Sequence, residues 1–184
     1  MARIPRDLFG QPIRNRKPRL QATLERYDRE TLPDRIVRAQ RVHAMFPKGR
    51  SFIMPFETAY VFEEARMTFV HGLFVSTILL AVAFAEHRLA DFLTSKGRGK
   101  DARAGLKAIC ATLRHEGVVH EVVLGKLDRL REIRNPFVHV KEHGHKHLLS
   151  RRMVAHRIAP EELLRQDAEE ALSLMYQVAL YPLR

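Results

Sequence analysis

Residues 73–95 read LFVSTILLAVAFAEHRLADFLTS, a mostly apolar segment with helical spacing. Its first half is apolar on every side, whereas its second half keeps an apolar stripe at Leu89, Phe92 and Leu93. A helix that is apolar nearly all round is buried by other elements. The stretch therefore predicts the central helix of a helical protein.

A membrane-spanning helix is the competing interpretation of the same region. Between Met67 and Ala85 there are 19 residues without Asp, Glu, Lys or Arg. Thr68, His71 and Gly72 interrupt it, so the continuous apolar part is only about 13 residues, whereas about 20 are needed to cross a bilayer. We therefore expect no membrane span.

Helical patterns without strand alternation occupy the chain on both sides of this stretch. They predict an all-α protein, an up-and-down bundle of four to five helices over residues 51–184. Asp101 is expected to cap one helix, and Pro160 is expected to start the last one. The predicted helices are 19–31 and 34–46, separated by Pro33, then 57–70, 73–95, 101–117, 119–142 and 160–181.

The N-terminal quarter is strongly basic. Residues 1–50 hold 13 basic and 5 acidic residues, a net charge of +8 out of +11, whereas residues 51–184 contribute only +3. Prolines and glycine in residues 1–20 predict an extended arm, and MFPKGRSFIMPF (45–56) predicts a linker. Such charge attracts polyanions such as RNA or DNA. An acidic protein partner, or a role in solubility alone, is the alternative.

Cysteine content and the N-terminus bear on the compartment. The single Cys110 excludes an internal disulfide and a cysteine-based zinc finger, and it suits a reducing environment. It falls in an apolar pattern that predicts a core position. Residues 1–9 lack the apolar core of a signal peptide. We expect a cytoplasmic protein.

The stretch LDRLREIRNPFVHV, residues 127–140, carries the candidate chemistry. Pro136 predicts a kink in the middle of a helix. We hypothesise that the kink turns Arg134, Asn135 and His139 into one concave site. The alternative is that they are ordinary surface residues. An apolar stripe is predicted at Leu127, Leu130, Ile133, Phe137 and Val140.

Residues 134–139, Arg-Asn-Pro-Phe-Val-His, resemble the Arg-polar-(three residues)-His signature of HEPN domains (higher eukaryotes and prokaryotes nucleotide-binding). The leader LDRLREI and the helix opened by Gly72 extend the resemblance over residues 57–181. It implies a bundle that dimerises with two motifs in one cleft, and a metal-independent ribonuclease of the toxin or defence type, with a possible antitoxin. In HEPN toxins controlled by a partner nucleotidyltransferase, a Tyr stands two residues after the motif His. Here that position is Lys141, so the resemblance does not imply regulation by nucleotidylation at this site.

RNA cleavage without a metal needs a base for the 2′-OH, a cation for the phosphorane and an acid for the 5′-oxygen. Histidine can act as base or acid near neutral pH, and arginine can hold two phosphate oxygens. The expected catalytic residues are Arg134, His139 and Asn135. Arg131, Lys141, His143 and Lys146 are expected to contact RNA. A non-catalytic helical module that binds nucleic acid or protein is the alternative function.

Histidines recur at positions 139, 143, 145 and 147. Imidazoles at this density could bind a transition metal. However, Gly144 is expected to end the helix and leave the last three in a solvated loop, without a Cys or Asp to complete a ligand set. We predict no metal and no cofactor.

Overall fold

The computed structural model describes residues 17–46 and 53–183, and these form helices without a strand. This confirms the all-α class. Within those residues there are eight helices, and seven of them follow residue 53, where a bundle of four to five was expected. They are α1 (Lys17–Met45), α2 (Phe56–Val70), α3 (Phe74–Ser95), α4 (Gly99–Ala102), α5 (Leu106–His115), α6 (Glu121–Val138), α7 (Leu149–His156) and α8 (Pro160–Leu180).

The centre of the fold is α3, as predicted. It packs against α2, α4, α5, α6 and α8. Ile78, Phe84 and Leu89 are completely buried on it. No helix of the described residues is long and apolar enough to cross a membrane. Burial by neighbouring helices therefore accounts for the apolar character of residues 73–85.

The first helix differs from the prediction of two short helices. α1 runs without a break through Pro33. Pro33 lies on an exposed part of the helix, where water can satisfy the carbonyl that loses its partner. The proline therefore does not end the helix. Residues 1–16 of the predicted arm and residues 47–52 of the predicted linker lie outside the described residues. Residues 17–20 of the predicted arm are helical, because α1 begins at Lys17.

Only the C-terminal half of α1 packs on the bundle. Val42 is buried, and the Phe46 ring lies 5.6 Å from that of Tyr176 in α8. Arg38 Nε donates to the Val70 carbonyl oxygen at 2.9 Å. From residue 19 to residue 30 every described side chain is exposed. This outer half of α1 has no core of its own.

The turn between α3 and α6 also differs from the prediction. Asp101 does not cap a helix; it lies inside the short α4 and pairs with Arg98 at 2.8 Å. α5 instead begins after Gly105, which has a φ of +82°. It ends at His115, before Gly117 with a φ of +64°, as expected.

The helix after the histidine loop was not predicted. α7 is held to α8 by an ion pair between Arg152 and Asp167, both buried. The two guanidinium nitrogens bind the two carboxylate oxygens at 2.6 and 2.7 Å. α7 follows residues 139–148, so this pair fixes the end of the loop next to the candidate site.

Candidate functional site

The candidate site lies at the C-terminal end of α6. Leu127, Leu130 and Ile133 are buried as predicted, which orients the opposite side of the helix away from the core. Phe137 is half-buried, but Val140 is fully exposed. The predicted stripe was wrong at Val140 because the helix ends before it, and the helical period no longer applies.

Pro136 lies in the last turn of α6 instead of in the middle of a longer helix. The helix ends at Val138, four residues earlier than expected. His139 has extended backbone angles, φ −128° and ψ 132°, and its amide donates to the Asn135 carbonyl oxygen at 2.8 Å. The expected mid-helix kink is therefore replaced by a helix end, and His139 begins a loop.

Arg134 and His139 lie on either side of this helix end. Arg134 is half-buried in the last turn, and His139 is exposed beyond it. Among the described residues, neither side chain forms an ion pair or a hydrogen bond within the chain. Both groups are therefore available to a ligand or a second protein.

A cavity of about 170 Å³ lies between the end of α6 and the loop 139–148. It brings together four of the predicted site residues but excludes Arg134 and His139. His143 lies in an adjoining groove with Lys141 and His145. The lining residues of the cavity are Arg131, Glu132, Asn135, Lys141, His145, Lys146 and His147.

The cavity is electropositive. Arg131, Lys141 and Lys146 outnumber the single carboxylate of Glu132. The Nε of Arg131 is buried without a hydrogen-bond partner, and it lies 3.8 Å from Asp128 Oδ1. Pockets for drug-sized ligands measure about 300–1,000 Å³, so this smaller cavity suits one small anionic group, such as a phosphate.

Two of the loop histidines are less exposed than expected. His143 is exposed, but His145 and His147 are half-buried and line the cavity. The His147 amide donates to His145 Nδ1 at 3.3 Å, and the ring centroids are 5.6 Å apart. The prediction of a solvated loop was wrong for this pair, because the loop folds back on α6.

Glu132 makes the contact that closes the loop on the helix. Its Oε2 lies 2.9 Å from His147 Nε2, within ion-pair distance. The two atoms are not aligned as a hydrogen bond. Burial lowers the pKa of His147 below its usual 6.5, although the charge of Glu132 acts in the opposite direction. His147 is therefore mainly neutral at pH 7.

The predicted site residues thus form two groups. Arg131, Asn135, Lys141 and Lys146 share the cavity, whereas Arg134, His139 and His143 lie outside its lining. Sequence reasoning assigned no function to Glu132, His145 or His147. The density of histidines was the only signal for His145 and His147, and no local pattern indicated that the loop folds back on α6 to reach Glu132. In residues 17–46 and 53–183, no group of three His, Cys, Asp or Glu side chains is placed to hold a metal ion.

A second cavity, of about 360 Å³, lies between α1 and α8. Its charged side chains are largely paired. Arg165 contacts Glu162 and Glu169 at 2.6 Å each, and Arg41 also pairs with Glu169. Because these guanidinium groups already have carboxylate partners, this cavity is a weaker candidate for an anion site.

Comparison with known proteins finds no matching family model, curated protein or solved structure. Support for a function therefore comes from the motif residues and from the geometry of the cavity.

Proposed function

We propose that the protein binds RNA and cleaves it without a metal ion, as a cytoplasmic endoribonuclease of the toxin or defence type. One observation supports the proposal most directly. The cavity at the end of α6 is lined by three cations, Arg131, Lys141 and Lys146, together with Asn135. Arg134 and His139 lie at the same end of the helix. Cations in a small cavity suit a backbone phosphate, and an exposed imidazole nearby supplies acid–base chemistry.

Each group has a role in transphosphorylation. His139 exchanges a proton with a reacting oxygen, and Arg134 holds the non-bridging oxygens of the phosphorane. Asn135 donates a hydrogen bond to the phosphate from the cavity wall. The O2′ attacks the phosphorus and the bond to the 5′-oxygen breaks, which leaves a 2′,3′-cyclic phosphate and a free 5′-hydroxyl.

We further propose that the active form is a homodimer of HEPN-like bundles, and that the basic charge of residues 1–50 contributes to RNA binding. Two features of the single chain support a second copy at the site. His139 is exposed, and Arg134 has no acidic partner among the described residues. A second motif facing the first would enclose both groups. The net charge of +11 also favours an acidic antitoxin or another acidic protein as regulator.

The test is incubation of the purified protein with total RNA in excess EDTA. We expect fragments that end in 2′,3′-cyclic phosphate, and loss of these fragments with Arg134→Ala. Intact RNA under all conditions would refute the proposed activity.

A non-catalytic interaction module is the second candidate. Exposed apolar side chains on α2 support it: Phe56, Tyr60 and Met67 recur along one side of the helix, and Phe56 is 84% exposed. Such a surface suits a protein partner. RNA binding in a filter assay without cleavage, by the wild-type chain, would favour this function over the enzyme.

A further inference from the structure

A histidine pair and a carboxylate line the cavity together with its cations. His147 Nε2 lies 2.9 Å from Glu132 Oε2, and His145 Nδ1 accepts a hydrogen bond from the His147 backbone amide at 3.3 Å. A histidine oriented by a carboxylate is the arrangement that activates hydroxyl groups in enzymes. None of these three residues belongs to the Arg134–His139 motif.

We propose that His147, oriented by Glu132, is the general base that takes the proton of the RNA 2′-hydroxyl. This inference rests on the proposed ribonuclease function and assigns His139 the complementary role of acid. Glu132 is a positioning residue, because it acts through His147.

The contacts of the two rings indicate which nitrogen of each ring can carry the proton. With Nε2 against Glu132, Nδ1 is the nitrogen of His147 left to accept a proton. The imidazole contact with the carboxylate is not yet aligned, as is common before substrate binds. In His145, Nδ1 accepts a backbone hydrogen bond, so its proton resides on Nε2. His145 therefore donates to an anion in the cavity.

The reaction balances through these groups. His147 Nδ1 accepts the 2′-hydroxyl proton while the O2′ electron pair forms the new bond to phosphorus. The bond between phosphorus and the 5′-oxygen breaks, and that oxygen takes a proton from His139. Arg131, Lys141 and Lys146 stabilise the charge on the non-bridging oxygens. Exchange with solvent restores both histidines, and no further reactant is consumed.

The surroundings of His147 support a base that is neutral at pH 7. Burial lowers its pKa most, and Lys146, His145 and Arg152 act in the same direction. Glu132 alone opposes them. Arg131 and Lys141 complete the charged lining of the cavity. Because a base must be unprotonated, the acid limb of kcat/KM is expected to have its midpoint below pH 6.5.

The experiment compares pH profiles of kcat/KM on a short RNA, in EDTA, for three histidine variants. His147→Gln should lower the rate by roughly 10²-fold and remove the acid limb, whereas His139→Ala should remove the alkaline limb. His87→Gln is the matched control, because His87 is exposed on α3, outside the site. A wild-type rate and profile for His147→Gln would overturn the inference while leaving the proposed ribonuclease intact.

Glu132→Gln provides a second measurement that does not depend on the folding of the His147 variant. Because the Glu132 charge raises the pKa of His147, its removal should move the acid limb of kcat/KM to lower pH. The titration of His147 followed by NMR should move in the same direction. An unchanged acid limb and an unchanged titration would overturn the inference. If the wild-type chain cleaves no RNA at all, the ribonuclease function fails and the base assignment fails with it.

Discussion

Arg152 and Asp167 form a two-point ion pair in the interior, with side chains only 9% and 3% exposed. The pair joins α7 to α8 and closes the far end of the loop that covers the cavity. We therefore expect the ion pair to help hold the loop that carries His145 and His147, although it contacts neither residue.

Breaking this pair should destabilise the protein. Asp167→Ala leaves the buried guanidinium without a partner, so we expect the free energy of unfolding to fall by about 3–5 kcal/mol. Urea denaturation measures the change. The double variant Arg152→Met/Asp167→Leu, which removes both charges, should recover most of the stability. Equal stability of the single variant and the wild type would show that the pair does not hold α7.

The motif variants Arg134→Ala and His139→Ala should each lower RNA cleavage by roughly 10²-fold or more, because each removes a charge-stabilising or acid–base group. Circular dichroism should show unchanged helix content, since neither side chain is in the core. If the variants fold and cleave RNA at the wild-type rate, Arg134 and His139 do not take part in catalysis.

Replacing cavity cations should weaken RNA binding and change its salt dependence. If Lys141→Ala or Lys146→Ala removes one ion pair with a backbone phosphate, the log–log salt slope should fall by about 0.7 for single strands. Lys107→Ala, on the exposed side of α5, is the control and should keep the wild-type slope. Fluorescence anisotropy at several salt concentrations makes the comparison. Identical slopes for all three variants would mean that the cavity does not bind the RNA backbone.

Truncation should separate the two halves of α1. A chain that begins at Leu32 lacks the 8 basic and 4 acidic residues of positions 1–31 but keeps Val42 and Phe46. We expect it to fold and to bind RNA with a shallower salt slope. A chain that begins at Ser51 also lacks Val42 in the core, and it should be less stable by at least about 2 kcal/mol. Urea melts and anisotropy measure both effects. If the chain that begins at Leu32 keeps the wild-type salt slope, the basic residues before position 32 do not contact RNA and serve another partner.

Cys110 should resist thiol reagents in the folded protein. Burial, with a smaller contribution from Asp128, raises the pKa of the thiol to about 12. Since the thiolate is the reactive form, only about 1 thiol in 10⁴ is ionised at pH 8. Reaction with Ellman's reagent should be slow in buffer and fast in guanidinium chloride. Rapid reaction of the native chain would contradict the burial of this residue.

The sequence predicted those parts of the structure that depend on local pattern. The apolar run of α3, the stripe at Leu127, Leu130 and Ile133, and the start of α8 at Pro160 follow from periodicity and from the preferences of proline. Longer-range effects were not predictable in the same way. α1 continues through Pro33 because that position is exposed, and α6 stops two residues after Pro136.

The candidate site shows the same division. Arg131, Asn135, Lys141 and Lys146 could be proposed from their closeness to the motif, and the structure places them in one cavity. The contact between Glu132 and His147 was not predicted, because it joins residues 15 positions apart across a loop. The loop runs into α7, which the Arg152–Asp167 pair joins to α8. No spacing rule connects these distant contacts to the sequence around the motif.

The uneven packing of α1 has a consequence for hydrogen exchange. An isolated helical segment of the length of residues 17–31 is marginally stable in water, so its amides exchange through local fraying. The amides near Val42, which is in the core, open only when the bundle itself opens. Along this one helix, the protection of backbone amides against exchange should therefore rise steeply from the first half to the second. A ligand that orders the outer half would be detected as slower amide exchange there, without any change in the core.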